Sequence, residues 1–366
     1  MALTLQGVTK VSGAETHIHP TDLTLERGGM TVLLGPTLAG KTSLMRLMAG
    51  LDRPDAGRIL FDGRDVTRLR VQDRNVAMVY QQFINYPAAT VYDNIASPLR
   101  IKGLASGEID RRVRQAAGLV RLDEVQLRKR PLELSGGQQQ RCALARALVK
   151  EATLVLLDEP LANLDYKLRE ELRAELPRIF ADSGAIFVYA TTEPHEALLL
   201  GGNTACLHEG RVTQIGPTPE VYRAPVDATT ARVFSDPPMN FAPVRKSGQS
   251  LDFGTGAFPA GPLSSAPDGR YMAGFRPNHL HITRPETDAM AFNAHVAVTE
   301  ITGSESFVHV DWRPPGGEPA RWVALAHGVH EPPLGTEMRV FVEPRHLYLF
   351  AESGALAAAA PYATAA

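Results

Sequence analysis

The apolar run Met30-Thr31-Val32-Leu33-Leu34 leads straight into Gly35-Pro36-Thr37-Leu38-Ala39-Gly40-Lys41-Thr42, and Ser43-Leu44-Met45-Arg46-Leu47-Met48-Ala49 follows with helical spacing. A buried strand, a glycine-bounded loop and a helix in immediate succession predict a phosphate-binding loop at the edge of a parallel α/β sheet. Gly35 and Gly40 permit the tight backbone path. The loop, from Gly35 through Pro36, Thr37, Leu38, Ala39 and Gly40 to Lys41, Thr42 and Ser43, presents aligned N–H groups and a helix N-terminus to an anion. Lys41 is expected to contact the β- and γ-phosphates of ATP, and the Thr42 hydroxyl to ligate Mg²⁺.

The rest of the chain fits that start. With 366 residues, two domains are expected. Short apolar strands alternate with helical segments to about residue 235, and a charged helical stretch over roughly 91–149 reads as an all-helical insert. Beyond Ser235-Asp236-Pro237-Pro238, short strands between proline- and glycine-rich turns over 236–350 predict a small antiparallel barrel or sandwich. The alanine-rich end, within 351–366, is expected to fray. A formal net charge of −2, from 38 basic and 40 acidic side chains, offers no field for nucleic acid or anionic lipid. No stretch reaches the ~20 apolar residues of a membrane span, and the N-terminus lacks a basic region followed by an apolar core, so neither a membrane span nor a secretion signal is expected. Cys142 and Cys206 fit a reducing compartment as two buried thiols.

Two more motifs narrow the chemistry. Leu154-Val155-Leu156-Leu157 delivers Asp158 and Glu159 to the sheet edge that carries the phosphate loop: Asp158 suits the Mg²⁺ shell and Glu159 can polarise an attacking water. Leu134-Ser135-Gly136-Gly137-Gln138 places a hydroxyl and glycine N–H groups at a helix start, suited to a γ-phosphate. In this order the three elements resemble the nucleotide-binding subunit of an ATP-binding cassette (ABC) transporter. The resemblance implies that Ser135, Gly136, Gly137 and Gln138 serve ATP held by another subunit, so the chain works as half of a pair. It also implies a Q-loop role for Gln81, as sensor of Mg²⁺ and γ-phosphate, and a receptor for the membrane subunit's coupling helix over 82–91. Pro160-Leu161-Ala162-Asn163-Leu164-Asp165 resembles the D-loop, which brings in Asp165.

The C-terminal segments Met239-Asn240-Phe241, Gly274-Phe275-Arg276-Pro277-Asn278-His279-Leu280, Gly303-Ser304-Glu305 and Glu343-Pro344-Arg345-His346-Leu347-Tyr348 resemble the accessory barrel of carbohydrate and polyol importer ATPases, the maltose and glycerol-phosphate type. An importer implies two membrane permease subunits, a periplasmic or lipoprotein solute-binding protein, and a peripheral place on the cytoplasmic face of a bacterial inner membrane. Three positions depart from the family. Ser12 stands where an aromatic ring stacks on adenine, with His17 or His19 as substitutes; Leu38 replaces a loop glycine; and Thr192 replaces the switch histidine, His195 being a surface residue. Threonine can donate a hydrogen bond but cannot carry imidazolium charge. All three fall on the half-site that binds ATP, while the Ser135 half-site is intact, which favours a heterodimer with a conventional second ATPase. The loop and the Ala190-Thr191-Thr192-Glu193-Pro194 segment are similar to one of the two ATPases of bacterial glycerol importers, so glycerol is the expected solute. The alternative is a non-catalytic scaffold supplying Ser135 to its partner. A soluble cassette of translation or DNA repair is disfavoured, since those carry two cassettes or a long coiled coil.

Overall fold

The computed structural model describes residues 2–162, 164–181 and 184–361. The chain divides between Thr218 and Pro219 into two compact units.

In the first unit, β1 (Ala2–Ser12), β2 (Glu15–Glu26), β4 (Ala56–Phe61) and β5 (Arg64–Asp65) form an antiparallel sheet in the order β2-β1-β4-β5. A second sheet runs β10-β9-β3-β8-β7-β6, from β3 (Met30–Leu34), β6 (Val76–Val79), β7 (Leu154–Asp158), β8 (Ile186–Thr191), β9 (Asn203–His208) and β10 (Arg211–Pro217). Five of its strands, β9-β3-β8-β7-β6, pair in parallel, and β10 returns antiparallel at one edge. Every residue of β7 and β8 is buried, the continuous apolar pattern of strands covered on both faces. The helix α1 (Lys41–Ala49) buries Leu44, Met45, Leu47 and Met48 in the core shared with both sheets. Because β3 and β7 both flank β8, the loops that follow these three strands emerge together at one sheet edge. In such sheets ligands gather at that edge.

The helical insert is present: α2 (Val91–Ile101), α3 (Ser106–Leu119), α4 (Glu124–Arg128) and α5 (Gly136–Val149) precede β7. Side chains cap three of the four starts, Thr90 at α2, Asp123 at α4 and Ser135 at α5. Among the described residues, no helix is long and apolar enough to cross a membrane. Cys142 and Cys206 are both buried thiols.

The second unit starts with short helices and continues as two antiparallel sheets. The first contains β11 (Asn240–Ser247), β12 (Ser250–Asp252), β13 (Ala257–Pro259), β14 (Gly269–Phe275), β19 (Tyr348–Phe350) and β20 (Leu356–Ala358); the other contains β15 (Met290–Ile301), β16 (Glu305–Trp312), β17 (Ala320–His327) and β18 (Glu337–Val342). They share one apolar core around Trp312 and Trp322, stacked with centroids 4.5 Å apart. The buried Arg276 explains why the division falls at 218 rather than near 235: its guanidinium bonds the Phe234 and Tyr222 carbonyls at 2.6 and 2.7 Å, tying that helical segment to the strands. The expected fraying at the C-terminal end does not hold for its first part, where Leu356–Ala358 pairs with β19 and Ala360 is buried. Small side chains leave little to disturb that edge pairing.

Candidate functional site

The loop after β3 folds around its own lysine. Lys41 Nζ donates to the carbonyls of Gly35 and Pro36 at 2.7 and 3.0 Å, and the loop backbone winds round an almost fully buried ammonium. Glycine is required twice. A Cβ at Gly35 would lie 2.4 Å from the Leu207 carbonyl oxygen, and Gly40 holds φ 100° as the residue before α1. Leu38 also sits in the left-handed region, at φ 68°, with its side chain 95% exposed. The loop thus keeps the backbone path that glycine makes easy, at a local cost of about 1–2 kcal/mol, and sends the extra side chain outward.

Strand β7 brings two carboxylates to this loop. Thr42 Oγ1 donates to Asp158 Oδ2 at 2.8 Å, joining residues 116 apart in sequence. Lys41 Nζ lies 3.9 Å from Glu159 Oε1, and Gln81 Nε2 donates to Glu159 Oε2 at 2.9 Å. Glu159 itself takes φ 46°, a strained conformation held by its N–H on the Ala190 carbonyl at 3.0 Å. Burial pushes the Asp158 carboxyl above its usual range, opposed by the Thr42 hydroxyl and the Lys41 charge. Burial also raises Glu159, opposed by Lys41 and reinforced by Asp158, Glu196 and Glu193. Lys41 is pulled down by burial against the attraction of both carboxylates. The Asp158 carboxylate, 3% exposed and bonded to the Thr42 hydroxyl, with the Gln81 amide on the adjacent Glu159, supplies oxygen donors that fit a hard divalent cation such as Mg²⁺.

A cleft of about 980 Å³ opens over this cluster, lined by Thr37, Lys41, Thr42, Gln81 and Glu159 and also by His17 and His19. Ser43 lines it too, whereas Ser12, at the β1–β2 hairpin, does not. Thr192 is exposed, directly after Thr191 at the end of β8, and is not among the lining residues; His195 is exposed. Ser135 and Gly136 are likewise exposed and away from the cleft, with Gly137 and Gln138 half-buried. Ser135 caps α5 reciprocally with Gln138, its N–H donating to Gln138 Oε1 at 3.0 Å. Asp165 accepts from the Leu168 N–H at 3.0 Å and starts α6 (Tyr166–Ala181). Asn163 of the D-loop segment lies outside the described residues.

Two features were not anticipated from the residue pattern. Gln140, 1% exposed on α5, donates to the Glu159 carbonyl at 3.3 Å and so steadies the strained residue. Beneath Thr192, the buried Glu196 accepts from Thr191 Oγ1 at 2.7 Å and Tyr189 at 3.1 Å and pairs with Arg173 at 3.3 Å. Thr191 Oγ1 in turn accepts the Glu193 N–H at 3.0 Å, which fixes the backbone on either side of Thr192. A glutamate one turn into a helix after a strand was the available signal.

A nucleotide-sized cleft on a phosphate loop, with carboxylates from the neighbouring strand, agrees with comparison to known proteins. The ABC transporter family matches residues 18–162. The chain is 36% identical over 369 residues to the sn-glycerol-3-phosphate import ATP-binding protein UgpC of Cupriavidus pinatubonensis, covering 96% of this chain and 98% of that one. The chain belongs to the ATP-binding subunits of ABC transporters. As an ABC-type ATPase it is of the import class that these relatives represent, the Salmonella typhi UgpC being 36% identical over 94% of the chain. Among solved structures, the dimeric cassette MJ0796 in a post-hydrolysis state bound to ADP and Pi superposes with TM-score 0.55 at 26% identity, over 59% of this chain and 98% of that one. The cassette cbiO1 of Clostridium perfringens gives TM-score 0.55 at 27% identity, over 60% and 90%.

Proposed function

We propose that this subunit is the ATP-hydrolysing motor of a polyol or sugar importer, with glycerol as solute, that it pairs with a second, different ATPase, and that its own site turns over slowly. The observation that carries the motor reading is the convergence of Lys41, Thr42, Gln81, Asp158 and Glu159 on one cleft. In this reading the loop N–H groups and Lys41 hold the β- and γ-phosphates. Thr42, Asp158 and Gln81 hold Mg²⁺, which when bound neutralises charge across the phosphate oxygens. Glu159 accepts the proton of a water as its oxygen bonds the γ-phosphorus and the bond to the bridging oxygen breaks, releasing ADP. Its raised pKa, a product of burial, moves it toward the range useful for a base.

The exposed Ser135 end of α5 supports a shared site, since nothing in the subunit's own cleft uses it. The heterodimer rests on Ser12, Leu38 and Thr192: two copies of this chain would assemble two sites, each without an aromatic ring at position 12 and without an imidazole at position 192. The solute class draws on the relatives named as sn-glycerol-3-phosphate import proteins, and glycerol on the likeness of the loop and of the segment around Thr192. Two permease subunits, a solute-binding protein and the cytoplasmic membrane face complete the proposal. The second reading, a non-catalytic scaffold, is favoured by Thr192; the intact Gln81–Glu159 contact favours hydrolysis. Transport in reconstituted vesicles decides between them. Glu159→Gln here should slow uptake measurably but less than the equivalent change in the partner ATPase, and no effect at all would select the scaffold.

A further inference from the structure

Three side chains of the second unit, none of them part of the ATP cleft and two of them within the segment 343–348, converge with metal-ligand chemistry. His281, Glu343 and His346 each offer one ligand atom, all within 4.8 Å of one another. Glu343 Oε2 lies 3.2 Å from His346 Nδ1 and 3.8 Å from His281 Nε2. Ligands about 2.0–2.2 Å from a tetrahedral zinc ion stand roughly 3.3 Å apart, so both carboxylate–imidazole spacings are near those of a ligand set, and the two imidazoles, within 4.8 Å of each other, close the rest on binding.

The backbone holds this arrangement rigidly. His281 exchanges two 2.8 Å hydrogen bonds with Phe341, at the end of β18 and two residues before Glu343. Glu343 and His346 are separated by one 3-10 turn, Pro344–His346, closed by the His346 N–H on the Glu343 carbonyl at 3.0 Å. The His346 ring stacks on His279 with centroids 3.9 Å apart and planes 8° from parallel, which fixes its direction. Thr287 donates its hydroxyl to Glu343 Oε1, orienting the carboxylate as outer partners of metal ligands do. His281 Nε2 is buried and makes no hydrogen bond. At 33% side-chain exposure His281 leaves a path for an ion, while Glu343 is 6% exposed.

We propose that His281, Glu343 and His346 form a binding site for a divalent transition-metal ion of the Zn²⁺ class, with a solvent molecule in the fourth position. Two imidazole nitrogens and one carboxylate suit zinc and its neighbours and reject Mg²⁺, which prefers oxygen ligands. The site is therefore chemically distinct from the one that serves ATP. Its occupant would clamp the turn at 277–279 and the segment after it to the turn at 344–346, adding a metal-dependent fastening to the accessory unit. The competing cation is Arg345, 55% exposed, whose guanidinium lies 3.1 and 3.2 Å from the two Glu343 oxygens. Zinc binding displaces it from Oε2.

The test uses the full chain, stripped with a chelator and held in Mg²⁺-free buffer. Titration with Zn²⁺ by calorimetry should give one tight equivalent per chain, and Co²⁺ should give the intense visible bands of tetrahedral coordination. His281→Ala should weaken binding at least tenfold and abolish the bands. Arg345→Ala should tighten it several-fold, because it removes the rival charge without touching a ligand. Absence of a stoichiometric site overturns the proposal, as does a site whose affinity ignores both substitutions. A Co²⁺ spectrum of octahedral type also overturns it.

Discussion

Lys41→Met separates two roles that a buried loop lysine can have. The ammonium is 5% exposed and donates to the Gly35 and Pro36 carbonyls at 2.7 and 3.0 Å. Without ligand, those bonds are offset by the cost of burying the charge, the dominant influence in lowering the Lys41 pKa. Methionine fills the same channel without a charge, and the raised carboxyls of Asp158 and Glu159 can take up protons when the neighbouring cation is lost. The nucleotide-free protein should therefore stay within about 1 kcal/mol of wild type, a Tm change of roughly 2–4 °C. In the proposed role the same nitrogen contacts phosphate oxygens of bound ATP, and a hydrogen bond of that charged kind contributes ~1.5–3 kcal/mol. Loss of that contact should weaken ATP by roughly 10- to 150-fold, measured by titrating a fluorescent ATP analogue, with thermal melts on the same samples. Affinity within threefold of wild type in a folded protein would refute the phosphate contact. A melt lowered by more than about 10 °C would show that the lysine is a structural strut first.

Asp158→Asn tests the buried carboxylate through pH. A carboxyl whose folded pKa is raised above its unfolded value contributes stability that is fully present below about pH 3.9 and is lost as pH rises through the folded value. The asparagine variant lacks that loss, so its nucleotide-free stability relative to wild type should increase from pH 4 to pH 7 in denaturant melts; a flat difference contradicts the burial argument. Ser135→Arg should leave ATP binding to this chain within twofold while reducing turnover of the assembled transporter at least tenfold. Near-normal turnover would reject a site shared across subunits.

The sheet edge was legible because its elements are local: an apolar strand, a glycine-bounded loop and a helix need no partner to be recognised, and β7 announces itself by ending in Asp158-Glu159. Sequence could suggest, but not measure, that Thr42 and Asp158 meet across 116 positions. The buried pair of Arg173 and Glu196 was hidden for a different reason. Charged residues on helices read as solvated faces, and only the packing of α6 on α7 (Pro194–Leu200), with α7 against β8, turns them inward. The domain boundary moved because Arg276, over 40 residues downstream, captures carbonyls at 222 and 234. His281 carries no local signal, since its partners, Glu343 and His346, lie some 60 residues away. Leu38 departs from the glycine of the family's loop, and its φ of 68° with an exposed side chain indicates how a leucine is tolerated there.

The most direct test of the motor account is the subunit composition of the transporter purified from membranes through a tag on this chain. Native mass spectrometry should find one copy of this subunit, one copy of a different ATPase with an aromatic adenine platform and a switch histidine, and two permease subunits. Two copies of this chain with no second ATPase, in a complex that hydrolyses ATP at ordinary rates, would contradict the account and show that Ser12, Leu38 and Thr192 support a complete site.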